Sequence, residues 1–316
     1  MIYKNIDFDL LNLLRSKLES YNYDHYRFYP SQNLTGWLDY RLHLLSQKDN
    51  EYYYFIKDLN SILLFFSIRI PKWDEENFGF KLAFLEVIYI DSEITFNELV
   101  NSFKEIIDFL KSENVKFISA RICSDNLQII HALEELKFRY IENIIWPILN
   151  IKNLYFESVE NIRVASVNDL ERLKFIASNF QYQKGHYHCD KNFDIEKVNN
   201  LYAKWVETAI YNNDPVIVIE ENNTILGYFV LMIDKNLSKF MGYKYGRMRS
   251  LALDSTFRGQ GIGKKLFLGA IQWFMKNGVE IIDSGYASKN HISARLHNSF
   301  NMYSVYEEVT LHYWIK

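Results

Sequence analysis

The sequence predicts a mixed α/β protein in which one architecture is used twice, each copy a mostly antiparallel sheet flanked by helices. Three observations predict it. The order strand, strand, strand, helix, strand, helix, strand recurs along the 316 residues. A constant offset of 164 lays one copy on the other, so that Val115 meets Val279, Asn126 meets Asn290 and Phe138 meets Met302. A chain that is 48 % hydrophobic and 24 % charged is also long enough for two cores of about 150 residues each.

Each element follows from local pattern. Residues 52–56 and 62–70 alternate as a hairpin turned at Asn60 and Ser61, and 83–90 is a third strand. An amphipathic helix over 96–113 precedes a strand at 115–123, a helix at 126–137 opened by an Asn cap, and a strand at 139–149. In the second copy, 215–221 and 224–233 form a hairpin around Asn222 and Asn223. A strand at 248–254, a helix at 261–276, a strand at 279–286, a helix at 290–300 and strands within 303–314 complete it. The boundary is expected at 151–160, after Pro147, giving domains 1–155 and 156–316.

Composition excludes several classes. Thirty-six Lys plus Arg against 39 Asp plus Glu leave a net charge of −3, with no basic surplus for nucleic acid. Cys123 and Cys189 are too few and too far apart for a disulfide scaffold or a zinc ribbon. The apolar N-terminal stretch is interrupted by Asp9, Asn12 and Arg15, so no signal-peptide core and no membrane span is read there, and a cytoplasmic protein is expected. Twenty-three Tyr and 23 Phe are mostly core, with enough surplus for a homodimer interface or a packed interdomain seam.

The copies differ most at Arg258-Gly259-Gln260-Gly261-Ile262-Gly263, whose counterparts at 94–99 contain no glycine. Of the 12 glycines, Gly36 and Gly79 alone precede Gly185, so the first copy has no backbone cradle and reads as degenerate. Between a strand and a helix, such a loop turns successive N–H groups inward, and the helix adds its positive end. An anionic pyrophosphate is the natural ligand, with Lys264 and Lys265 adding charge. Gly263-Lys264 is followed by Lys265 rather than the Ser or Thr of a Walker loop. Lys264 also occupies the place of the third glycine in a dinucleotide-binding fingerprint.

The pattern that remains, Arg/Gln-x-x-Gly-x-Gly/Ala after a strand, resembles the pyrophosphate loop of the GNAT acyltransferase superfamily. Asn290-x-x-Ser293-Ala294-x-Leu296-His297 is similar to that family's Asn-x-x-Ala-x-x-Leu-Tyr helix. The resemblance implies two tandem GNAT-like domains, the first degenerate, with acetyl-CoA as co-substrate and no metal. It implies a sheet that splays between 251–254 and 281–285, with Arg258 to Lys264 and Asn290 on the cofactor. Backbone N–H groups near Leu251 and Leu253 are the expected oxyanion donors. His297 stands where the family has its acidic Tyr, and an imidazole can protonate a thiolate leaving group; Tyr303 and Tyr306 are alternatives. Asn290 also reads simply as a helix N-cap.

On the acceptor side, residues 180–190 carry His186, His188 and Asp190, followed by a helix with Tyr202 and Trp205. The three polar groups are candidates to hold or deprotonate an amine. This stretch and Trp73-Asp74-x-x-x-Phe78-Gly79-Phe80 are similar to the TDP-fucosamine N-acetyltransferases of enterobacterial common antigen synthesis and their relatives. A basic position of that family is Leu296 here. The resemblance implies N-acylation of a nucleotide-linked 4-amino-4,6-dideoxy sugar, with Arg247 and Arg249 either pairing with its diphosphate or forming structural salt bridges. A tandem enzyme acting on another small amine, and a non-catalytic acyl-CoA sensor, are the rival readings.

Overall fold

The computed structural model describes residues 1–21, 33–47, 49–180 and 182–316. The chain forms two compact units, one of Met1–Ile144 with Tyr306–Lys316, the other of Ile145–Val305.

The first half of the chain runs β1 (Ile2–Tyr3), α1 (Phe8–Leu18), α2 (Leu34–Ser46), β2 (Tyr52–Lys57), β3 (Leu64–Arg69), α3 (Lys72–Phe78) and β4 (Lys81–Ile90). It continues with α4 (Phe96–Ser112), β5 (Val115–Cys123), α5 (Leu127–Glu135) and β6 (Arg139–Asn150). Strands β1 to β4 pair antiparallel in order, and β4 pairs parallel with β5. Phe55, Phe65, Phe66, Phe103 and Phe117 fill the core, which absorbs much of the aromatic surplus. The hairpin forms where expected, but β3 starts later than the alternation suggests. Ile62 has φ 45°, a left-handed turn conformation that a strand cannot contain. Helices α1 and α2 are not evident from the sequence pattern; each opens on a side-chain cap, Asp7 accepting from Leu10 N–H and Asn33 from Gly36 N–H.

The second half runs β7 (Ile162–Val164), α6 (Leu170–Phe180), α7 (His186–Cys189), α8 (Ile195–Tyr211), β8 (Val216–Glu221), β9 (Thr224–Ile233), α9 (Lys235–Met241) and β10 (Tyr245–Leu253). Then come α10 (Ile262–Lys276), β11 (Ile281–Ser284), β12 (Tyr286–Ala287), α11 (His291–Asn298) and β13 (Tyr303–Trp314). Strands β7 to β10 pair antiparallel in order, and β10 pairs parallel with β11. Asn222 and Asn223 both have positive φ in the β8–β9 turn, the geometry that a tight hairpin favours. One face of this sheet packs α10 through Phe229, Leu231, Met248, Leu266, Phe267, Ile271 and Phe274.

Each sheet is closed by a strand from the other half of the sequence. Residues 308–314 of β13 pair antiparallel with β5, and 148–150 of β6 pair antiparallel with β11. The sequence places 303–314 at the end of the second copy's own sheet; most of that strand instead belongs to the first unit. The repeat explains the difference. Arg139 and Tyr303 begin strands at equivalent positions, so either strand offers a sheet edge the same alternation, and pattern alone cannot select the partner. No helix among the described residues is long and apolar enough to cross a membrane.

Candidate active site

The second unit contains an opened sheet. Pairing of β10 with β11 stops at Met248↔Ser284, while β10 continues with β9 through Leu253↔Gly227. A bulge between Met248 and Ser250 falls at the point of divergence, where bulges re-aim a strand. Asp254 N–H donates to Leu226 O at 2.9 Å, on the β9 side. Because N–H direction alternates along a strand, Ala252 shares that side, and the N–H groups of Leu251 and Leu253 point into the opening.

The loop that follows is held from outside. Asp254 accepts from Thr256 N–H at 3.0 Å and from Arg172 at 2.6 Å, and Arg172 also donates to Ile225 O at 3.1 Å. Burial raises the Asp254 carboxyl, but the bonds from Arg172 and Thr256 outweigh it and keep the pKa below the ordinary value. Gly259 and Gly261 have φ 79° and 78°, which L side chains rarely adopt. Gly261 is the N-cap of α10 and offers no side chain to it. Lys264 and Lys265 N–H donate to Gly261 O, whereas no backbone N–H from Gly259 to Gly263 meets an acceptor among the described residues. Those bare donors at a helix N-terminus form a site for an anion. Gln260 donates to Thr256 O at 3.3 Å. The exposed Arg258 guanidinium donates to Phe180 O at 2.7 Å and Leu253 O at 3.3 Å, bracing the loop against α6. Lys264 is exposed, with its ammonium 5.8 Å from the Phe300 ring.

The equivalent position in the first unit is filled by the chain itself. Thr95 caps α4, and Glu98 turns back to accept from Thr95 N–H at 3.0 Å while Glu98 N–H donates to the Thr95 hydroxyl. A carboxylate already sits at that helix N-terminus. Gln128 of α5 donates to Ile94 O at 3.0 Å, a link that its counterpart Ile292, an exposed residue, cannot make.

Asn290 caps α11, accepting from Ser293 N–H at 3.1 Å. His297, one helical turn beyond Ser293, is 3 % exposed. Its Nδ1–H donates to Ser293 O at 2.7 Å, and its Nε2 has no hydrogen-bond partner among the described residues. The ring packs edge-on against Phe267 of α10 at 5.1 Å and lies 4.7 Å from Tyr286 of β12. Burial pulls its pKa below the ordinary value, and the bond to Ser293 offsets part of that. Of the alternative acids, Tyr303 is exposed and Tyr306 belongs to the first unit, hydrogen bonded to Cys123.

On the sheet's other face lies a second polar group. His188 Nε2–H donates to Asn199 Oδ1 at 3.1 Å, and its Nδ1 is buried without a partner among the described residues. Its ring stacks on Tyr202 at 5.4 Å, and burial lowers its pKa while Asn199 raises it. Tyr228, fully buried on β9, is hydrogen bonded to Ser250 beside the bulge, and burial raises its pKa. Asn199, Tyr228 and Ser250 have no motif around them, and single residues drawn from three elements leave no signal in a sequence. Asp190 organises its own turn, accepting from Asn192 N–H and Nδ2 at 3.1 and 2.9 Å. His186 is half-buried against Tyr187. Gln181, within the stretch that suggested the acceptor side, lies outside the described residues. Arg247 sits between Asp234 and Asp283 at 3.3 and 3.8 Å, a largely buried structural cluster. Arg249, at the bulge, is half-exposed, with Met232 Sδ at 2.7 Å and Asp214 at 4.0 Å.

Residues 177–302 match the acetyltransferase (GNAT) family. The chain is 30 % identical over 95 residues to the L-methionine sulfoximine/L-methionine sulfone acetyltransferase of Salmonella typhimurium, covering 30 % of this chain and 54 % of that one. It is 28 % identical over 95 residues to the L-amino acid N-acyltransferase MnaT of Escherichia coli, with the same coverage. The chain thus spans about half the length of the curated relatives it matches. Among solved structures it is similar to a GCN5-related N-acetyltransferase from Sphaerobacter thermophilus (TM-score 0.64, 12 % identity, 100 % of this chain and 96 % of that one). It is also similar to a tandem GNAT protein from the clavulanic acid biosynthesis pathway (TM-score 0.59, 9 % identity, 96 % and 93 %). At such identities the likeness establishes the fold, which is the two-domain GNAT fold.

Proposed function

We propose, from the GNAT family match at residues 177–302 and the opened sheet beside the glycine loop, that the protein is a coenzyme A-dependent N-acyltransferase, with acetyl-CoA as donor. Residues 156–316 are the catalytic domain and 1–155 a degenerate copy that binds no cofactor. The observation that carries this reading is the run of unpartnered N–H groups from Gly259 to Gly263, next to a strand whose Leu251 and Leu253 N–H groups face the opening. The thioester supplies the activated acyl carbon. The loop N–H groups, with Lys264, hold the pyrophosphate; Leu251 and Leu253 N–H stabilise the oxyanion, because fixed donors need no reorganisation as charge develops. Asn290 caps α11 and so sets the position of His297, which handles the proton of the departing thiolate.

The acceptor is a nucleotide-linked 4-amino-4,6-dideoxy sugar, held by His186, His188 and Arg249, with Asp190 shaping the turn beneath them. A second reading is favoured by the curated relatives, whose names specify amino acid substrates: the acceptor is a free amino acid, and Arg249 takes its carboxylate. Thiol release from acetyl-CoA, measured with TDP- and UDP-linked 4-amino sugars beside L-methionine sulfone and common L-amino acids, separates the two. Turnover confined to the nucleotide sugars supports the first reading and turnover confined to the amino acids supports the second. Acetyl-CoA binding with no acylation of any amine overturns both in favour of a sensor.

A further inference from the structure

A carbonyl oxygen only accepts, so the 2.7 Å bond from His297 to Ser293 O fixes the imidazole proton on Nδ1. The neutral ring therefore carries a lone pair, not a proton, at Nε2, the nitrogen left without a partner among the described residues in a residue that is 3 % exposed. Such a ring cannot begin the reaction as an acid. Burial disfavours a resting imidazolium, and the bond to Ser293 O offsets only part of that. Phe267 of α10 and Tyr286 of β12 pack on it; Tyr286 is the titratable neighbour, a neutral phenol that burial keeps neutral. Lys264, over the adjoining Phe300 ring, brings a positive charge to that side.

We propose that His297 is a proton shuttle rather than a preloaded acid: Nε2 receives the proton of the attacking amine and passes that same proton to the leaving sulfur. The step balances without another reactant. The amine nitrogen forms its bond to the acyl carbon and gives up a proton to Nε2; the carbon–sulfur bond breaks, its electron pair goes to sulfur, and Nε2 returns the proton there. One imidazole serves both transfers, and the ring is again neutral at the end of each turnover. A tyrosine at this position starts protonated and supplies only the second transfer, so the shuttle gives a physical meaning to the replacement. The inference rests on the acyltransfer reading above.

Nitrogen NMR of the full chain labelled at histidine, assigned with His297→Gln and recorded with and without acetyl-CoA, tests the resting state independently of turnover. The result expected is a protonated Nδ1 and a bare Nε2 at pH 7.5, with protonation of the ring only below pH 6.5. An Nε2–H tautomer or an imidazolium at pH 7.5 overturns the shuttle. With whichever amine of the panel is acylated, wild-type kcat/KM falls on the acid side as Nε2 becomes occupied. In His297→Tyr, kcat falls by about 100-fold or more, and that acid limb disappears. A His297→Tyr profile that keeps the wild-type acid limb also overturns the shuttle, even if the tautomer is as expected. A chain that shows the bare Nε2 but acylates no amine overturns the acyltransfer reading, and the shuttle with it.

Discussion

Gly261 combines a left-handed turn and an uncapped helix start in one residue. Its φ of 78° brings the chain into α10 without a capping side chain, leaving the first N–H groups of the helix to an outside anion. A Cβ here meets no atom within 4 Å, so the cost of substitution is backbone strain rather than collision. Gly261→Ala is expected to lower stability by about 1 kcal/mol and to raise KM for acetyl-CoA with little change in kcat, read by thermal melting and steady-state kinetics. Residues of this kind are legible in a sequence, because a positive φ and a bare helix end require particular residue types at fixed spacing. Asn290 is legible for the same reason, as its capping oxygen must stand three residues before the N–H it accepts from. His188 is legible as a polar residue but not in its partner: Asn199 is 11 residues away on α8, and only the fold brings the two together. His297 shows the reverse case. Its place in the motif is visible, yet the nitrogen that carries its proton is set by a backbone carbonyl, which has no sequence identity.

Among the elements, those that combine a strong apolar stripe with a cap are readable; the short connecting helices are not, nor are α1 and α2, whose caps stand without so marked a stripe. Helix α4 carries both an apolar stripe and a Thr95–Glu98 capping box, and its limits were expected almost to the residue. Helices α3 and α9 have seven residues each, ended by Gly79 and Gly242 with positive φ; two turns give too few repeats for a period to register. Helix α3 also buries a carboxylate. Asp74 is 8 % exposed, and burial raises its pKa to about 6, with Arg69 opposing and Glu51 adding to the rise. Its folded pKa lies above the unfolded value, so the folded chain binds the extra proton between about pH 4 and 6. Stability from this site is therefore fullest below about pH 4 and is lost as pH rises through 6, by about 2–3 kcal/mol in all. Asp74→Asn should flatten that slope and raise stability at pH 7, as followed by urea unfolding at several pH values.

At the scale of the whole molecule, the repeat was the most readable feature and the closing strands the least. An offset of 164 predicts two equal sheets, but it makes β6 and β13 interchangeable, and the chain uses each in the other unit. The two sheets differ in what their helix N-termini offer. In the first unit Glu98 occupies the end of α4, and in the second Gly259 to Gly263 leave the end of α10 open to an anion. On the proposed function, one of two similar units binds the acyl donor, and it does so through the glycine loop. Calorimetric titration of the full chain with acetyl-CoA, repeated with Gly261→Asp to place a carboxylate at the loop, measures this directly. The result expected is one equivalent bound per chain, and affinity weakened at least tenfold in the variant. Two equivalents per chain, or an unchanged affinity with Asp at position 261, would contradict it.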